Sequence, residues 1–208
     1  GDMNDHPLVV LPKPEDVLSG VDWMEEALSK GEWCGYSYMI AVRRQFLLRH
    51  HIRFKEGVCC MEDLLWNAMV QSKITRMAYT PKQSYYYRCT PGSIMNNASL
   101  DGKLRRIESY MIVIEELWRM ADTEMPRITA LFNRLGAEHG RILLGQISKT
   151  GSLRQRIAIL SELRKRGFLA RLFRDTKDIR HRKRIVRALG YGILGLFGDR
   201  KVWPISSK

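Results

Sequence analysis

The sequence predicts an α+β fold that is mostly α-helical. A small mixed sheet-and-helix block spans residues 1–99, and a basic helical bundle spans residues 100–208. Three observations predict it. Before residue 100, short aromatic and β-branched runs alternate with Pro and Gly breakers, as strands and turns require. After residue 100, apolar residues recur at three and four, the spacing of a helix face. Charge divides the same way: residues 1–100 carry 11 Lys/Arg and 11 Asp/Glu, residues 101–148 carry 7 and 7, and residues 149–208 carry 17 and 4. The whole net charge of +13 therefore sits in the last 60 residues.

Val9–Leu11 reads as a short strand ended by Pro12 and Pro14. Pro14-Glu15-Asp16 then opens a helix through Val17, Val21, Met24 and Leu28, with Gly31 as its stop. Trp33 to Val42 is aromatic and β-branched enough to contain a strand. A short helix follows from Arg43 to His51, where His50 and His51 suit a cap. Ile52-Arg53-Phe54 is extended, and Glu56-Gly57 is a turn. Met61 to Gln71 is a helix with Leu64, Leu65, Ala68 and Met69 inward. Thr75–Thr80 and Gln83–Arg88 are the next strands, and the tyrosines of the second pack a sheet face. Pro91-Gly92-Ser93 turns, and Asn96–Ser99 connects.

The helical part follows. Leu104, Ile107, Met111, Ile114, Leu117 and Trp118 define one helix. Pro126 starts a second that carries Ile128, Leu131, Phe132, Leu135, Ile142 and Leu143. Ser152 caps a third, with Ile157, Leu160 and Leu163, which stops at Gly167. Basic amphipathic segments continue to about Gly198.

Several classes are excluded. With 45% hydrophobic and 27% charged residues the chain is not wholly disordered, and no apolar run reaches the roughly 18 residues a membrane crossing needs. Cys34, Cys59, Cys60 and Cys89 have neither disulfide-scaffold nor zinc spacing, so free thiols in a reducing compartment are expected. The acidic N-terminus lacks the pattern of a secretory signal. Residue 1 is Gly rather than Met, read as the remnant of a removed tag on a piece of a longer protein.

Chemistry concentrates between Phe54 and Ser93. Glu62-Asp63 places two acids in the first turn of an apolar helix, where the helix dipole favours ionised carboxylates. Such acids suit either plain helix capping or a general base at the lip of a site. The order around them is Arg43-Arg44-x-Phe46-Leu47, Ile52-x-Phe54-x-Glu56-Gly57, Glu62-Asp63, then Tyr85-Tyr86-Tyr87-Arg88-x-x-Pro91-Gly92-Ser93-Ile94-Met95. Over roughly residues 17–96 this order resembles the second half of the catalytic domain of family 2 glycosyltransferases, which have the glycosyltransferase A-type fold.

The resemblance implies a partial glycosyltransferase A-type fold and an inverting sugar transfer from a nucleotide-sugar to a glycan or lipid-linked acceptor. Asp63 is then the base that takes the acceptor proton, with Glu62 orienting it. Glu56 and Gly57 belong to the substrate-binding turn. Arg88 and Ser93 contact acceptor or diphosphate, since a guanidinium grips phosphate oxygens bidentately. The family's nucleotide-binding half, with its Asp-x-Asp, has no counterpart here, and Asp2 and Asp5 have the wrong spacing. Mn2+ or Mg2+ is therefore expected in the full-length parent only, with no cofactor or metal in this chain. The piece is expected to be inactive alone.

The basic end points to a further partner. Arg164-Lys165-Arg166 and Arg180-His181-Arg182-Lys183-Arg184 precede apolar runs, the last reaching Phe197. Residues 164–198 thus suit the surface of an anionic membrane, which places the protein in the cytoplasm, peripheral at the inner face of the plasma membrane. Nucleic acid, the rival partner for so basic an end, is less favoured, because the basic clusters precede apolar stretches that suit an interface. The alternative function is a basic helical module that binds nucleic acid or protein without catalysis. Self-association into a homo-oligomer fits either reading.

Overall fold

A computed structural model of the chain describes residues 17–78, 85–86 and 98–194. They fall into two compact units, one formed by residues 17–56, 61–78 and 85–86, the other by 57–60 and 98–194.

In the first unit, α1 (Gly20–Lys30) and α3 (Glu62–Lys73) pack together, with the short α2 (Arg44–Arg49) between them in sequence. The Ser19 hydroxyl accepts from the Asp22 amide at 3.1 Å and starts α1. Gly31, at φ 72°, ends it in the left-handed conformation that glycine adopts without strain. There its N–H donates to Leu28 and the Glu32 N–H donates to Ala27, satisfying carbonyls the helix end leaves open. Trp23, Met24, Ala27 and Leu28 are buried on α1, as are Leu64, Leu65, Ala68 and Val70 on α3. At Gly20 a side chain would strike the backbone of Gln71, so α1 enters where only glycine fits. Ile52, Trp66 and Val70 form a second cluster, against which Ile40, Val42, Phe46 and Leu47 pack.

In the second unit, α4 (Leu100–Ala121) and α5 (Pro126–Ser148) run along each other, joined by a short loop. α6 (Leu153–Lys165), α7 (Phe168–Asp175) and α8 (Ile179–Leu194) close over them. Ile107, Met111, Ile114 and Leu117 of α4 and Phe132, Leu135, Leu143 and Ile147 of α5 are fully enclosed. Ser99 caps α4 through the Gly102 amide. Ser152 and Gln155 form a reciprocal capping box on α6. Arg171 ties three helices together: it donates to Asp122 at 2.7 Å, to the Trp118 carbonyl at 3.1 Å and to Asn133 at 3.3 Å.

The expected α+β class is overturned. Among the described residues there is no strand and no sheet, and the fold is all-α. The mixed sheet of a partial glycosyltransferase A-type fold is absent with it. The β-type pairing among these residues is a single antiparallel bridge, Leu18 with Met77. The stretch Trp33–Val42, expected to hold a strand, is irregular around a 3₁₀ turn at Ser37–Met39. Its physical reason lies in α3. Asn67 donates to the Gly35 carbonyl at 2.8 Å, and Trp33 donates to Gln71 at 2.7 Å. One backbone carbonyl, that of Gly35, is taken by a helix side chain, and the turn closes on itself through the Met39 N–H to Tyr36 and the Ile40 N–H to Ser37, while Ile40 and Val42 still reach the core. The helix expected from Pro14 starts instead at Gly20, because Leu18 is held in the bridge and Ser19 caps. The strand at Val9–Leu11 lies outside the described residues, as does most of Gln83–Arg88.

Candidate functional site

The site grows from the first turn of α3. Met61 precedes it at φ 69°, with no side-chain cap, so the turn relies on its own acids. The Asp63 carboxylate accepts from the Leu64 amide at 2.9 Å, and the Asp63 and Ser37 backbone amides lie close enough to favour its charge. Burial nevertheless raises its pKa above the ordinary carboxylate value, and the neighbouring Glu62 charge adds to the rise, against the lowering by those three amides. The helix dipole alone favours the charged carboxylate. Partial removal from water and a like charge outweigh it.

Around Asp63 lie groups that the sequence pattern did not single out. Asn67, one helical turn on, donates both to the Asp63 carbonyl at 3.2 Å and to Gly35. Asn67 therefore fixes the segment that carries Cys34, Ser37 and two tyrosines. The Cys34 thiol is pushed up by burial, against the Tyr36 amide, with the Asp63 charge adding to the rise. Tyr36 and Tyr38 stack at 5.2 Å between centroids, and Tyr38 stacks on Tyr85 at 4.2 Å. Tyr36 and Tyr38 fall within Trp33–Val42, the aromatic stretch expected to contain a strand.

The other expected site residues are placed differently. Glu62 is half-buried, and its Oε2 is enclosed without a hydrogen-bond partner among the described residues. Glu56 is exposed. Gly57 is left-handed at φ 76°, with open space where a side chain would be. No hydrogen bond or ion pair among the described residues joins Glu56 to Glu62 or Asp63. Arg88 and Ser93 lie outside the described residues, as does Tyr87. Tyr86 is 91% exposed, not packed on a sheet face. Among the described residues no group of three or more His, Cys, Asp and Glu side chains could hold a metal ion.

Over 71 residues the chain is 30% identical to an uncharacterized glycosyltransferase, YibD, of Escherichia coli (strain K12). The relationship is to a glycosyltransferase. The match takes in 34% of this chain and 20% of that relative, so the chain spans about a fifth of the curated protein it resembles. No family model matches the chain, and no solved structure matches it.

At the basic end, no helix among the described residues is long and apolar enough to cross a membrane. Phe168, Leu169 and Leu172 of α7 and Ile185 and Ala188 of α8 are buried in their own bundle. Arg180, Lys183, Arg184 and Arg187 are all exposed. Their spacing of three, four and seven puts them on one stripe of α8.

Proposed function

We propose that the chain forms the acceptor side of an inverting glycosyltransferase, moving a sugar from a nucleotide-sugar to a glycan or lipid-linked acceptor. The observation that carries this reading is the Asp63 carboxylate, bonded to the Leu64 amide at the start of α3 with its proton affinity raised by burial and by Glu62. A base for a sugar hydroxyl works best when its pKa is lifted toward the working pH. The 71-residue likeness to a glycosyltransferase supports the same chemistry.

In the proposed step Asp63 takes the acceptor hydroxyl proton as that oxygen bonds to the donor's anomeric carbon. The bond from that carbon to the diphosphate oxygen breaks, the nucleoside diphosphate leaves with the electron pair, and the anomeric centre inverts. The described carboxylates do not make a metal site, and no step here uses one. In this proposal the diphosphate, with its Mn2+ or Mg2+, falls to a nucleotide-binding half of the family 2 type in the full-length parent. The test is transfer by the natural full-length protein with labelled nucleotide-sugars and either ion. Asp63→Asn should lower kcat by about 10²- to 10⁴-fold. Full transfer by that variant refutes the base.

The basic stripe of α8 supports a place for the reaction. In this proposal Arg180, Lys183, Arg184 and Arg187 hold the protein peripherally on the anionic inner face of the plasma membrane. A glycan built there for a lipid carrier or for surface polysaccharide is the matching acceptor.

A further inference from the structure

From the tyrosine column beside the base, we infer a binding platform for a neutral pyranose ring of the acceptor. This rests on the acceptor-side reading above and specifies what that side recognises. Tyr36, Tyr38 and Tyr85 stack in sequence, with interplanar angles of 9° and 15°. Tyr36 is 45% exposed and Tyr85 is 52% exposed, so the end rings of the column keep open surface. A column of aromatic rings left in water has lost little by waiting for a flat apolar ligand, and the C–H face of a sugar ring is such a surface.

The column is also anchored to the reacting group. Asn67, which donates to the Asp63 carbonyl at 3.2 Å, also holds the segment that carries Tyr36 and Tyr38, pinning it at Gly35. Two carboxylates at one helix end disfavour phosphates and other anions at this place. The ligand class is therefore an uncharged polyhydroxyl ring rather than a nucleotide base with its phosphates.

The experiment uses methyl glycosides of glucose, galactose, mannose and N-acetylglucosamine as probes. Saturation-transfer NMR reads contact with the tyrosine ring protons, and acceptor KM is read in the transfer assay of the full-length protein. Binding of at least one glycoside is expected, weakened about tenfold by Tyr36→Ala or Tyr85→Ala. Tyr85→Phe keeps the ring and should keep binding, which separates stacking from loss of a hydroxyl. Unchanged circular dichroism of each variant excludes unfolding as the cause. No transfer from the rings to any glycoside, or an unchanged acceptor KM in both alanine variants, overturns the platform. The two readings fail separately. If Asp63→Asn abolishes transfer while the alanine variants leave KM alone, the base stands and the platform falls. If glycosides bind the rings but Asp63→Asn retains transfer, the platform stands and the base falls.

Discussion

Asp63 carries a cost that its neighbours do not cancel. Its pKa is raised in the folded chain, chiefly by burial and then by Glu62. A carboxyl with a raised folded pKa contributes most stability below its unfolded value and loses it as pH rises through the folded value. At neutral pH the charged Asp63 therefore weakens the fold, as groups retained for activity often do. Asp63→Asn keeps the acceptor for the Leu64 amide and removes the charge. Calorimetry should show a higher Tm than wild type at pH 7 and no advantage near pH 3; a lower Tm at pH 7 contradicts this. The same shift predicts that kcat/KM rises with pH through the acidic range as Asp63 loses its proton. Asn67 has a different role. It is buried and holds Gly35 and the Asp63 carbonyl. Asn67→Ala leaves the Gly35 carbonyl without that donor and should cost about 1–3 kcal/mol by urea unfolding.

At the scale of elements, close approaches and caps set the tolerances. Gly20 lets α1 meet the backbone of Gln71, and backbone gives way less readily than a flexible side chain. Gly20→Ala should cost about 1–3 kcal/mol as overpacking. Gly31→Ala instead loses stability through its left-handed φ, with open space around it. On α6, Ser152→Ala removes one half of the capping box and should cost about 1 kcal/mol in the denaturant midpoint. Helix starts such as Ser152 and Pro126 were legible in the sequence because their causes are local: a capping box between residues three apart, and a proline whose fixed φ suits the first helical position. The expected strand in Trp33–Val42 was not legible in the same way. Its residues are β-formers, but a strand exists only with a neighbour, and here the Asn67 side chain of α3 takes the Gly35 carbonyl while the Ser37–Met39 turn bonds within itself.

For the molecule as a whole, charge and burial govern the response to salt and acid. The excess of +13 lies in the last 60 residues, and the structure puts four of its cations on one exposed stripe of α8. Flotation with vesicles containing anionic phosphatidylserine should carry the protein upward and fail at high salt. Replacing Lys183, Arg184 and Arg187 with Gln should release it, at about 1 kcal/mol for each charge. Equal flotation with neutral vesicles contradicts the electrostatic attachment. Acid should act on the second unit through His139, whose pKa is lowered by burial while its Nδ1 faces the Leu135 carbonyl at 3.0 Å. A lowered folded pKa means stability present above the ordinary His value and lost as pH falls through the folded one. His139→Gln should flatten the fall in Tm between pH 7 and pH 5.

The sequence by itself determined the helical periods, the starts of α2, α3, α5 and α6, the pair of acids at the head of α3 and the uneven charge. These are properties of residues within a turn or two of one another. Only the tertiary structure decided that no described strand forms, that Asp63 gains proton affinity, and that Tyr36, Tyr38 and Tyr85 share one column. Each of these depends on groups distant in the chain, and burial and stacking have no local pattern from which to read them.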